Sequence, residues 1–281
     1  MKRVLAATGL AAVLLAGPAV ADTPRHWRVD LQGPIAFRGL PALDGGQVGA
    51  APPVLYPAPN LAGFLAAVLA HGLVSSGAEE ARRRAAQEAA DAAWQPLATL
   101  RDGLRSADWW KAALARPQAP AGSLLADASG PEPAGWVATA VPSLSITRDA
   151  ELLVLDLGLK LPAADGQPAR EQLVRVLSAP TGHAAPADHW LADEGRAFRS
   201  TVDDLLAHAL ELAVRHGAPA ADAPERTWRY AMGRGQGSER AQLVAGSCAR
   251  LVLRTLRGWL LSVPALREGG ACSAPPYALG P

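Results

Sequence analysis

The spacing of apolar residues changes twice along this chain, and each change marks a shift in element type. Trp27–Leu31 and Ile35–Arg38 alternate apolar and polar residues and read as two short strands, broken by Gly33 and Pro34. Gly45–Pro59 is a Gly/Pro-rich connector. From Leu61 to about Leu104 the period is helical, with Asn60 placed as the N-cap. The first half, Leu61–Ala78, is almost continuously apolar. Ala62, Ala66 and Ala70 recur at i, i+4 spacing, with Gly63 and Ala67 beside them. Such rows of small residues let helices approach closely. The second half is amphipathic, with Ala85, Ala89, Ala92 and Trp94 expected near its buried face. Pro96 should restart the helix, and Ser106 is placed to cap a further one carrying Trp109, Trp110 and Leu114.

Pro117–Gly135 is proline-rich and reads as a linker. After it the period falls to two. Leu144 and Ile146 alternate with polar neighbours, and Leu153, Leu155, Leu157, Leu159 and Leu161 form an unbroken i, i+2 row. Asp165-Gly166 is a turn, with Leu173–Leu177 as the return strand of an antiparallel meander. Asp188–His216 is an amphipathic helix with Leu191, Phe198, Val202, Leu205, Ala209 and Leu212 on its apolar stripe and Gly217 as its C′ residue. Thr227–Met232 is a strand, followed by the Gly-rich GRGQG turn. Arg240–Val263 is read as two further strands rather than a helix. The fold class predicted is α+β: a mostly antiparallel sheet with helices on one face and one long apolar helix rich in small residues.

The organisation follows. Residues 1–21 are a signal peptide, 22–116 the N-terminal strands and long helical segment, and 117–135 the linker. Residues 136–264 form the antiparallel sheet with its amphipathic helix, and 265–281 are a C-terminal tail. Lys2 and Arg3 are the charged n-region, LAAVLL the centre of the apolar h-region, and Ala19-Val20-Ala21 the cleavage site. Export places the chain in the periplasm or cell envelope. There the chain's 2 cysteines, Cys248 and Cys272, are expected to form a disulfide.

Composition narrows the function. An apolar fraction of 49% is that of a globular protein, and a net charge of +1 gives no reason to expect nucleic acid as a partner. The signatures G-x-S-x-G, H-E-x-x-H, Walker A and the Rossmann fingerprint do not occur. No catalytic residue, metal site or cofactor is assigned. Asp204 and His208 share i, i+4 spacing and read as a hydrogen-bonded or ion-paired couple. His183 and His189 flank a Pro/Ala loop near Asp188 and Asp193, an incomplete zinc set that reads as a polar loop. Asp203 and Asp204 point about 100° apart on a helix and are read as a solvated face. Ser247 beside Cys248 has no base assigned to it. Arg250, Arg254 and Arg257 are a candidate basic patch for an anionic partner, with a solvated surface as the simpler account. Ala62, Gly63, Ala66, Ala67 and Ala70 are a candidate interaction surface for a protein partner, a second copy or a membrane surface.

The stretches YPAPNLAGFLAAVLAHGLVSSGAEEARRRAA and RLVLRTLRGWLLSVP, in this order of elements, resemble uncharacterised exported proteins and lipoproteins of Gram-negative bacteria. The resemblance implies an envelope location and a fold, not an activity. No Cys follows the h-region, which departs from the lipoproteins and argues against a lipid anchor there. The functional expectation is an exported protein that works by binding or assembly. Its alternatives are an envelope hydrolase with a dispersed site and an inner-membrane protein held by residues 61–78.

Overall fold

Five leucines at alternate positions of one strand organise the structure. The computed structural model describes residues 25–40, 77–126, 135–163, 168–216, 223–268 and 271–272. The leucine strand is β5 (Leu153–Leu161), and Leu153, Leu155, Leu157, Leu159 and Leu161 are all buried on one face, beneath the helices. It pairs antiparallel with β4 (Trp136–Thr147) and β6 (Arg170–Leu177), the expected meander. On its other edge β4 pairs in parallel with β1 (Arg25–Val29) along its first half and β2 (Ala36–Leu40) along its second. Asp30 forms the turn at the break by accepting from the Gln32 and Gly33 N–H groups at 3.0 and 2.7 Å.

The segment expected to be a linker contributes β3 (Ser123–Ala126), which pairs in parallel with β1 and forms an edge of the sheet. Beyond β6 lie β10 (Leu260–Pro264), β9 (Arg250–Thr255), β8 (Gly235–Gly246) and β7 (Arg226–Met232), giving ten strands in the order β3-β1-β4-β5-β6-β10-β9-β8-β7, with β2 beside β4. Most pairings are antiparallel; β10 on β6 is parallel. A two-stranded ribbon, β11 (Arg267–Glu268) with β12 (Ala271–Cys272), follows. The stretch 240–263 is therefore strand throughout its regular parts. The β7–β10 portion curls until Tyr230 bridges Ala265, enclosing a second core of Val154, Leu177, Tyr230, Leu253, Leu261 and Val263 on the face away from the helices.

The helices are α1 (Gly77–Trp94), α2 (Ala98–Asp102), α3 (Ser106–Leu114) and α4 (Pro186–His216). Three expectations are corrected here. Helix α1 buries Ala90 and Trp94, with Leu97 just beyond, whereas Ala85 and Ala92 are exposed. The helix is rotated because it covers the edge strand β2 at Gly39. The Asp91 carboxylate accepts from the Gly39 N–H at 2.9 Å, Gln87 donates to the Gly39 carbonyl at 3.0 Å, and a Cβ on Gly39 would overlap the Ala90 carbonyl. Ser106 does not cap α3 with its side chain; its hydroxyl donates to the Asp30 carbonyl at 2.7 Å. Helix α4 is broken: Asp193, Glu194 and Gly195 have φ of 52°, 58° and 79°. Gly195 is buried against Leu100, and a Cβ there would collide with that side chain, so both the positive φ and the close approach require glycine at this point of the break. Pro96 restarts the helix as expected, through a 3₁₀ turn at Gln95–Leu97.

Candidate functional site

The loops at one end of the sheet converge on an open cleft of about 570 Å³. The first is the β4–β5 turn. Thr147 and the Glu151 N–H donate to Asp149 at 2.6 and 3.2 Å, and Ala150 adopts a left-handed φ of 54°. Trp190, in the first turns of α4, fixes that turn by donating its indole N–H to the Ala150 carbonyl at 2.7 Å. The second is the loop after β6, from Ser178 to Ala185. The third is the β7–β8 turn at Gly233-Arg234, the expected GRGQG hairpin; Gly233 takes a φ of 57° with Asp149 packed against it.

Glu151 ties the three together. Its carboxylate is only 3% exposed. It accepts from the Thr181 hydroxyl at 2.7 Å, the Gly182 N–H at 3.0 Å and Arg234 Nε at 3.2 Å. Burial pushes its pKa up, but Thr181, Gly182 and Arg234 outweigh burial and hold it below the ordinary carboxylate value. Arg234 also donates through Nη2 to the Ala184 carbonyl at 3.2 Å, while its side chain remains 63% exposed. His183 lines the cleft, and its ring stacks on His189, with centroids 4.3 Å apart and planes 26° from parallel. No hydrogen bond within the described residues engages either imidazole.

A second polar constellation lies between α4 and β10. His208 Nδ1 meets Glu211 Oε2 at 3.1 Å and its Nε2 meets Ser262 Oγ at 3.0 Å. Arg250 donates to Ser262 Oγ at 3.1 Å, to the Ser262 carbonyl at 3.0 Å and to the Leu177 carbonyl at 2.7 Å. The order carboxylate–imidazole–hydroxyl is that of a nucleophilic triad, but Ser262 is 0% exposed and sits mid-strand. Burial lowers the Arg250 pKa to about 10, and burial with the Arg250 charge lowers that of His208.

The residues singled out from sequence are placed as follows. The partners of His208 are Glu211 and Ser262, not Asp204. Asp204 and Asp203 instead both pair with Arg116, at 3.3 Å each. Asp203 is half-buried rather than solvated, and burial raises its pKa. Ser247 is a turn residue whose hydroxyl accepts from the Ala249 and Arg250 N–H groups at 3.2 and 3.1 Å. Arg250 is engaged inside the fold, Arg254 donates to the His216 carbonyl at 2.6 Å, and Arg257 lies 5.5 Å over the Trp259 ring. Cys248 lies in the β8–β9 turn and Cys272 in β12. The candidate surface Ala62, Gly63, Ala66, Ala67 and Ala70 lies outside the described residues, as do Gly45–Pro59, Asp165-Gly166, Gly217 and residues 1–21. Among the described residues no helix is long and apolar enough to cross a membrane, and no cluster of three metal-ligating side chains occurs.

Sequence reasoning missed Glu151 and Ser262 as partners in these sites; Arg234 stood out only as part of the Gly-rich turn and of the arginine-rich stretch from 226 onward. Only the His183/His189 loop and the Gly-rich turn carried a signal for the cleft. Comparison with family models, curated proteins and solved structures finds no match.

Proposed function

We propose that this is an exported protein of the periplasm or cell envelope that works by binding, with the cleft between the β4–β5 turn, the 178–185 loop and the β7–β8 turn as its working site. The export reading rests on the n-region, h-region and A-x-A site of residues 1–21. The binding reading rests on one observation: a buried carboxylate, Glu151, is fully engaged in orienting an exposed guanidinium at the mouth of a cleft. An acid held ionised by three donors is a poor proton shuttle, but it is a good positioning residue. The test uses protein from the periplasmic fraction. Its intact mass should correspond to a chain beginning at Asp22. Ala184→Trp, which fills the cleft from an exposed position, should abolish ligand-induced thermal stabilisation without lowering the unliganded melting temperature. A mature chain retaining residues 1–21 overturns the export reading. Unchanged stabilisation in Ala184→Trp overturns the site.

The Ser262–His208–Glu211 chain favours a second reading, an envelope hydrolase. It stands second because substrate cannot touch a hydroxyl with no exposed surface. A fluorophosphonate probe that labels the wild type and fails on Ser262→Ala would put it first.

A further inference from the structure

We infer that the cleft recognises an organic or inorganic anion, a carboxylate or phosphate group, through Arg234 and the His183–His189 pair. This rests on the reading of the cleft as a binding site and adds the ligand's chemistry. Arg234 is anchored twice, by Glu151 through Nε and by the Ala184 carbonyl through Nη2, so its orientation is set before any ligand arrives. A guanidinium held in this way retains unengaged N–H groups in a planar fork, the geometry that matches a carboxylate or phosphate. Ordering a long side chain beforehand removes an entropic cost from binding. The neighbouring carboxylates direct their lone pairs onto protein donors rather than into the cleft: Glu151 accepts from Thr181, Gly182 and Arg234, and Asp149 accepts from the Thr147 hydroxyl and the Glu151 and Arg234 N–H groups. His183, in the lining of the cleft, supplies a further donor, and His189 stacks behind it; the ring nitrogens of neither make a hydrogen bond within the described residues.

The experiment follows amide resonances of ¹⁵N-labelled mature protein during titration with inorganic phosphate, citrate and uncharged glucose at fixed ionic strength. Phosphate or citrate should shift Gly182, His183, Ala184 and Gly233 saturably, and which of the two binds more tightly separates the phosphate from the carboxylate source. Arg234→Gln should abolish saturation. Because that variant also unpairs Glu151, His183→Gln/His189→Gln serves as a second test that leaves the anchors in place, and it should weaken binding by about tenfold. Arg240→Gln, on the β8 strand and paired with Glu225, should bind as the wild type does. Anion shifts that do not saturate, or that survive both cleft variants, overturn the inference. Saturable glucose binding that Ala184→Trp blocks overturns it too, while leaving the binding reading standing. Binding of none of the three, together with fluorophosphonate labelling of Ser262, overturns both.

Discussion

His208 is the side chain whose surroundings make the most specific demand on solution conditions. It faces Glu211 and His216 on its own helix, with Arg250 from β9 and Ser262 from β10 across from it. Burial and the Arg250 charge favour the neutral ring against the pull of Glu211. The unfolded chain therefore takes up a proton at a higher pH than the folded chain does. The stability contributed by neutral His208 is fully present above the ordinary histidine pKa of about 6.5 and is lost as pH falls through the lower folded value. Glu151, also depressed, adds a loss in the same direction at more acid pH; Asp203 and Glu239, both raised by burial, oppose it. Urea midpoints should fall from pH 7.5 to pH 5.5, and His208→Gln should make that slope shallower, leaving the part that His216, also lowered by burial, contributes with the same sign. An equally steep profile in the variant would assign the dependence elsewhere. The core at residue scale is plainer. Leu157 is wholly buried at the centre of the leucine row, so Leu157→Ala should cost about 2–5 kcal/mol in chemical denaturation. A loss under about 1 kcal/mol would mean that the strand face is not core.

At the level of elements, what was legible in the sequence was whatever a periodic run of large apolar residues dictates. The leucines of β5 and the Phe198–Leu212 stripe of α4 announce their buried faces because few other arrangements hide them. The face of α1 was not legible, because alanines carry little directional signal and one contact, Gly39 against Ala90, decides the rotation. The break in α4 was hidden for a similar reason: the side chain packed against its Gly195 is Leu100, far away in the chain. Strand β3 was lost in a proline-rich stretch because four residues are too few to show a period. The cleft was the least legible feature, since Glu151, His183 and Arg234 come from three loops that only the sheet brings together. One long-range link is proposed from both sources. Ala265 donates to the Ala249 carbonyl at 3.0 Å, so the β11–β12 ribbon starts beside the turn that carries Cys248, and no free cysteine occurs among the described residues. A Cys248–Cys272 disulfide would fasten the ribbon to that turn and stabilise by roughly 3–4 kcal/mol in the chain-entropy account. Thiol labelling of denatured, unreduced protein should find no reactive cysteine; two labelled cysteines would rule the bond out.

For the whole molecule, the small-residue segment at 61–78 is the part of the chain through which assembly is proposed. The row of small residues Ala62, Gly63, Ala66, Ala67 and Ala70 is proposed as the surface that meets a partner or a second copy. A lone apolar helix of about 18 residues stands at the lower limit for spanning a bilayer. These two roles, and simple burial in a core, respond differently to added bulk. Ala66→Leu/Ala70→Leu keeps the segment apolar and helix-forming but blocks close approach. Mass in solution should be measured for wild type and variant, each with and without detergent, alongside circular dichroism. If the segment mediates assembly, wild type should exceed the monomer mass, and the variant should fall to the monomer with an unchanged spectrum. If the segment is core, overpacking should cost about 1–3 kcal/mol and lower the melting temperature. If it spans a membrane alone, both proteins should need detergent and behave alike. A wild type that is monomeric without detergent and a variant identical to it in mass and stability would refute the assembly proposal and leave the cleft as the chain's one proposed working surface.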